Sequence, residues 1–149
     1  MLLDGRGPGS DFPSLVGWPA KRAARSLSSL MDKINLLEKL SLFTDHFQPR
    51  IVGDLNDHEI KVVKLQGDFV WHHHEAADEL FLIVKGRMRM GLRTGDVDLS
   101  EGEIFIVPKG VEHKPSAEEE CWIVLIEPRG TLNTGNVAGE RTVAAPERI

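Results

Sequence analysis

From Pro49 onward the chain is a succession of short β-prone runs separated by turn-forming residues. Val, Ile, Leu and Phe are frequent in the runs, and turn pairs such as Asn56-Asp57 and Gly67-Asp68 lie between them. Many short strands at close spacing are typical of a sandwich or a barrel, so the sequence predicts an all-β domain. The predicted strands cover residues 51–55, 58–65, 69–74, 79–84, 87–93, 97–99, 103–107 and 121–126.

Composition divides the chain into three regions. Residues 1–30 are rich in Gly, Pro, Ser, Ala and Arg, which predicts a disordered or extraneous extension; a targeting peptide or a functional arm are the alternatives. Residues 31–128 form the predicted barrel domain, preceded by one short helix that Asn35 caps. Gly and Asn recur over residues 129–149, so we expect an irregular tail that lies over the barrel or crosses to a partner subunit.

Charge and cysteine content narrow the possible partners. The net charge is −5 and the Lys and Arg residues form no basic cluster, so we expect no nucleic-acid partner. Cys121 is the only cysteine, which excludes an intrachain disulfide and favours a cytoplasmic location. No run of about 18 apolar residues is present, so we expect no membrane association.

Two histidines and one glutamate are spaced so that they can share a metal ion. His72 and His74 lie two residues apart on a predicted strand, so their side chains project from the same face. Glu79 begins the next strand, where its carboxylate can lie beside the two imidazoles. His113 follows a later turn, and local geometry alone does not assign it to the same site.

The same strand alternation makes further predictions about the surroundings of these ligands. It places Phe69 and Trp71 on the opposite side of the strand from His72 and His74. Phe81 and Ile83 share the side of Glu79 and are predicted to wall a pocket. The acidic run 118–120 is predicted to be a solvated hairpin loop.

Two motifs in this chain resemble the two motifs of the cupin superfamily, in particular small single-domain cupins grouped with mannose-6-phosphate isomerase. The resemblance implies a cupin double-stranded β-helix, that is, a jelly-roll barrel, and a homodimer. It also implies that His113 joins His72, His74 and Glu79 as a metal ligand. The matching segments are Gly67-x4-His72-x-His74-x4-Glu79-x6-Gly86 and Gly102-x5-Pro108-x-Gly110-x2-His113.

Three imidazoles and one carboxylate suit one divalent transition metal, namely Mn, Fe, Ni, Co, Cu or Zn. Four protein ligands leave two positions open on an octahedral ion, which suffices for substrate together with water or O₂. The resemblance then implies a metalloenzyme that acts on a small polar metabolite, of the dioxygenase or the sugar or sugar-phosphate isomerase type. The alternatives are a non-catalytic, metal-dependent module that binds a small molecule, and a structural role for the ion.

Overall fold

The computed structural model describes residues 27–149. The predicted N-terminal extension therefore lies outside the described residues except at its end, where α1 spans Leu27–Leu30. A second helix, α2, spans Leu36–Ser41, and the side chain of Asn35 caps it by accepting hydrogen bonds from the N–H groups of Leu37 and Glu38. Among the described residues, no helix has the length and apolar character needed to span a membrane.

Eight strands follow the helices and form one curled sheet. The sheet order is β5-β4-β7-β2-β1-β8, and β3 pairs with both β6 and β7. One edge of β7 pairs with β2, and its other edge pairs first with β4 and then with β3. The prediction of an all-β fold is confirmed. The strands are β1 (Arg50–Leu55), β2 (His58–Asp68), β3 (Glu79–Lys85), β4 (Arg87–Leu92), β5 (Val97–Ser100), β6 (Ile104–Val107), β7 (His113–Pro128) and β8 (Glu147–Arg148).

Two apolar clusters pack on opposite faces of this sheet, because successive strand residues point to opposite sides. Val63, Phe81 and Ile123 belong to the cluster inside the barrel. Their chain neighbours Val62 and Val124 belong to the outer cluster, which α2 covers with Leu40. Glu79 is the first residue of β3 and lies on its inner face. The strand that builds the inner core therefore also places a carboxylate at the edge of that core.

Two local predictions are wrong. The predicted strand at residues 69–74 is irregular apart from a single bridge between His72 and His113, because the backbone of His73 bonds to the C-terminal segment instead of a strand. The predicted hairpin loop at residues 118–120 lies inside β7. These three glutamates are exposed, but β7 continues through them because β2 pairs with it on both sides of the acidic run.

The C-terminal segment after β7 folds back onto the barrel. The N–H of Arg129 donates to the carbonyl of Asp57 at 2.8 Å. At the end of the chain β8 pairs in parallel with β1, and the N–H of Ile149 donates to the carbonyl of Ile51 at 3.0 Å. Turns fill most of the interval, so the segment covers the barrel without adding a long strand.

Candidate metal centre

The structure brings the four predicted ligands together in one buried group. One ligand atom from each of His72, His74, Glu79 and His113 lies within 4.8 Å of the other three. None of the four residues is more than 5% exposed. His72 and His113 exchange two backbone hydrogen bonds of 3.0 and 2.9 Å, and their imidazole centroids are 4.2 Å apart. The group can therefore converge on a single ion.

Two of the imidazoles are oriented by carbonyl groups two residues earlier in the chain. Nδ1 of His72 donates to the carbonyl of Val70 at 2.9 Å, and Nδ1 of His113 donates to the carbonyl of Val111 at 2.9 Å. Each Nδ1 therefore carries a proton, and Nε2 is left as the nitrogen that faces the other ligands. Histidine ligands of metal ions are usually oriented in this way.

The contacts of Glu79 show that this donor set fits a cation. Its Oε2 lies 3.1 Å from Nε2 of His74 and 3.1 Å from Nε2 of His113. The Nδ1 of His113 already carries a proton, so in the neutral ring Nε2 and the carboxylate oxygen are both acceptors. Their close approach is favourable only with a proton or a metal ion between them. Three imidazole nitrogens and one carboxylate oxygen are also the donors that a divalent transition metal prefers.

The electrostatics of the group differ from residue to residue. Burial and the neighbouring His113 ring lower the pKa of His72 to about 4. Burial disfavours the charged form of His74, but the hydrogen bond to Glu79 and the charges of Glu79 and Glu127 together outweigh it, so the pKa of His74 is raised. For Glu79, burial favours the neutral acid, yet hydrogen bonds from His113 and His74 lower its pKa overall. His74 is thus a favoured site for a proton, and His72 stays neutral in the same pH range.

These shifts predict how metal affinity depends on pH. Metal binding must displace the proton of His74. Below the raised pKa of His74, metal affinity should therefore fall by about one decade for each unit by which the pH is lowered. His72 should add a second proton only near pH 4. Competition with a chromophoric chelator for Co²⁺ between pH 5 and pH 8 measures this slope. An affinity that does not change between pH 5 and pH 7 would contradict this coordination set.

One cavity opens beside the four residues. His72 and Glu79 lie on its wall. Nine of its twelve lining residues are apolar, and three of the nine are phenylalanines. The remaining polar residue is Asn133 of the C-terminal segment. A ligand in this cavity would therefore contact mainly apolar surface, with polar groups concentrated at the metal centre.

The aromatic wall of the cavity includes one residue that the strand alternation misplaced. Phe69 was predicted to face away from His72, but it lines the cavity, and its ring meets the His72 ring edge-on at 5.3 Å. The reason is the irregular backbone of this segment, to which a period of two does not apply. Phe81 lines the cavity as expected.

Phe47 forms part of the same wall and has an unusual backbone conformation. Its φ of 57° is rare for a bulky residue. Its N–H donates to the carbonyl of Lys64 at 2.8 Å, and its ring stacks on Phe69 with centroids 5.1 Å apart. The strained backbone therefore presents an aromatic ring to the cavity, in line with the clustering of such residues at functional sites.

A second buried polar group lies next to the metal centre. Glu127 on β7 pairs with Glu59 on β2, and Lys61 Nζ lies 2.9 Å from Glu127 and 3.5 Å from Glu59. Burial and the charge of Glu79 raise the pKa of Glu127 to about 7. This group is not among the residues predicted from the sequence. Strand alternation could have predicted that these side chains are buried, because Glu59 and Lys61 share the face of the core residue Val63.

The protein is thus a β-barrel that carries a buried group of three histidines and one carboxylate beside an apolar cavity. The family model described as the Cupin domain matches residues 60–127. A cupin-2 domain containing protein from Shewanella frigidimarina is 47% identical, with a TM-score of 0.64 over 64% of this chain and 94% of its own. The chain belongs to the cupin family, and the predicted jelly-roll barrel is confirmed.

Two further proteins extend the comparison. A protein from Neisseria meningitidis is 36% identical, with a TM-score of 0.61 over 65% of this chain and 99% of its own. The 3-hydroxyanthranilate 3,4-dioxygenase of Ruegeria pomeroyi is 36% identical over 63 residues, which are 39% of this chain and 35% of the dioxygenase. The chain spans 57% and 35% of the lengths of two curated relatives that it matches.

Proposed function

We propose that this protein is a metalloenzyme of the oxygenase type, which holds one divalent transition metal with His72, His74, Glu79 and His113 and acts on a small molecule with an apolar body. The observation that carries the proposal is the position of the four residues, whose ligand atoms converge within 4.8 Å beside an apolar cavity. The bound metal would supply Lewis acidity and, as iron, the activation of O₂.

The protein's own residues contribute binding and shielding. Phe47, Phe69 and Phe81 give the cavity an aromatic wall, which excludes water from a substrate and favours a planar or apolar one. Asn133 offers one hydrogen-bonding side chain on that wall. The Nδ1 hydrogen bonds of His72 and His113 hold both rings in the orientation that metal binding needs.

The same wall favours an oxygenase over a sugar isomerase. A sugar phosphate carries many hydroxyl groups and two negative charges, and each needs a polar partner once it is buried. Among residues 27–149, the cavity wall offers only Asn133 apart from the metal centre. Similarity to a dioxygenase over 63 residues supports the same choice.

A non-catalytic binding module is the second candidate, and one observation favours it. Within residues 27–149, the titratable side chains that line the cavity are His72 and Glu79, both assigned to the metal. In the described part of the chain, no separate general acid or base lines the cavity. Any turnover must therefore depend on the metal, which makes metal dependence the sharpest test.

The test is oxygen consumption by protein reconstituted with Fe²⁺. The substrates are small aromatic compounds, with 3-hydroxyanthranilate as the first probe, and mannose 6-phosphate represents the isomerase alternative. We expect O₂ uptake with an aromatic compound and no conversion of the sugar phosphate. Metal-stripped protein and Zn²⁺-loaded protein are the controls, and neither should consume O₂.

The other outcomes decide between the remaining hypotheses. Conversion of mannose 6-phosphate without O₂ uptake would reject the oxygenase and support the isomerase. Binding of an aromatic compound that is recovered unchanged would support the binding module. A protein that binds none of the six candidate metals would reject the metal centre itself.

A further inference from the structure

Within residues 27–149, the segment that carries His72 and His74 has no regular strand partner on one edge. On the other edge, the backbone of His72 pairs with His113, and the carbonyl of His74 accepts a 2.8 Å hydrogen bond from the N–H of Gly110. His73 lies between these two residues, and its N–H and carbonyl point away from His113 and Gly110. Something other than a strand must hold this middle residue in place.

The C-terminal segment supplies the missing partner. Oδ1 of Asn136 accepts a hydrogen bond of 2.8 Å from the N–H of His73, and the N–H of Asn136 donates to the carbonyl of His73 at 3.1 Å. A single residue therefore satisfies both backbone groups of His73. The segment between the two histidine ligands is thus held from both edges.

Close approach of the two backbones requires a glycine at position 135. Gly135 has a φ of +52°, and a Cβ atom there would lie 2.2 Å from the carbonyl oxygen of His73. Separations below 3.0 Å force something to move, and here the obstacle is backbone. The same Cβ would lie 3.2 Å from Nδ1 of His74. A side chain at this position would therefore push directly on the ligand segment.

Residues 133–142 form a closed loop, which we call the clasp. Asn133 donates from Nδ2 to the carbonyl of Arg141 at 2.8 Å and accepts a hydrogen bond of 2.8 Å from the N–H of Val143. The hydroxyl groups of Thr134 and Thr142 lie 2.7 Å apart, and Thr134 is 2% exposed. These hydrogen bonds hold the clasp in one shape independently of its contacts with the histidines.

We propose that Gly135 and Asn136, two residues of the clasp, are positioning residues for His72 and His74 in the metal centre. The clasp lies outside residues 60–127, which match the family model. Groups that orient metal ligands typically contribute roughly 10–100-fold to metal affinity. The inference rests on the proposed function, because it needs the four residues to hold a metal ion.

Co²⁺ is the probe, because its visible absorption reports the geometry of its ligands as well as its binding. We expect Gly135→Ala and Asn136→Ala to weaken Co²⁺ binding at least about 10-fold and to change the absorption spectrum of the bound ion. Gly139→Ala is the matched control, because a Cβ at Gly139 meets no atom within 4 Å. Asn136→Asp keeps the acceptor for the His73 N–H, so the spectrum of this variant should match that of the wild type.

Thermal unfolding of each metal-free variant separates positioning from general stability. If Gly135→Ala fails to fold, Asn136→Ala carries the test alone. Folded variants that bind Co²⁺ with the affinity and spectrum of the wild type would overturn the proposal. If the wild type binds no Co²⁺, the proposed function fails. The clasp is then judged by the imidazole ¹⁵N resonances of His72 and His74, which must move in Asn136→Ala for the inference to stand.

Discussion

Replacing Glu79 with glutamine is expected to lower the affinity for Co²⁺ or Zn²⁺ by more than about 100-fold, since the loss of an orienting partner alone costs roughly 10–100-fold. Glutamine keeps the shape of the side chain but removes the negative charge from a group whose other donors are neutral imidazoles. Glu79 is 3% exposed, so no water compensates for the lost charge. Isothermal titration calorimetry on purified metal-free protein measures the effect.

The same substitution should change two neighbouring pKa values. Glu79 is the main influence that raises the pKa of His74, so that pKa should fall in Glu79→Gln. The charge of Glu79 also raises the pKa of Glu127, which should move below about 7. NMR titration measures both shifts. Glu118→Gln removes an exposed carboxylate from β7 and is the matched control, for which affinity and both pKa values should stay unchanged.

Above the pKa of Glu127, replacing Lys61 with methionine is expected to lower the free energy of unfolding by about 3–5 kcal/mol, because it leaves the buried Glu127 carboxylate without its cation. Lys61 is 2% exposed and Glu127 is 0% exposed, and the ion pair between them measures 2.9 Å. Urea denaturation at about pH 9 measures the loss, because Glu127 is still partly protonated at pH 7. In the double variant Lys61→Met with Glu127→Leu much of the stability should return, since both charged partners are then replaced by apolar groups.

The pH dependence of stability follows from Glu127 and has a definite sign. Its pKa is raised from 4.5 to about 7 in the folded protein, so the folded state holds a proton that the unfolded state has released. Stability attributable to this group is therefore fully present below pH 4.5 and is lost as pH rises to about 7. Glu127→Gln should remove this decline. A decline of the same size in Glu127→Gln would assign it to another group.

The sequence was most informative where the structure is regular. The alternation in β3 placed Glu79 and Phe81 on one inner face, and the turn residues between runs marked most strand boundaries. His72 and His74 lie close together as predicted, with ring centroids 5.2 Å apart, although their segment is not a regular strand. His113 needed the second family motif, because its partners lie 34 or more residues away and no local pattern connects them.

The sequence was least informative where long-range contacts decide the conformation. Nothing local indicates that Asn136 bonds to His73, 63 residues earlier, or that this contact prevents a regular strand there. Phe69 was misplaced for the same reason. The glutamates at 118–120 have low strand propensity, but pairing with β2 on both sides of them overrides that preference.

The hydrogen bonds from His72 to Val70 and from His113 to Val111 each join residues only two positions apart. The orientation of each of these two rings is thus fixed within a three-residue stretch of chain. Long-range packing only has to position each stretch. Such units are modular. Grafting both stretches onto facing strands of another barrel should therefore give two correctly oriented imidazoles. Only the carboxylate and the remaining histidine would then have to be designed.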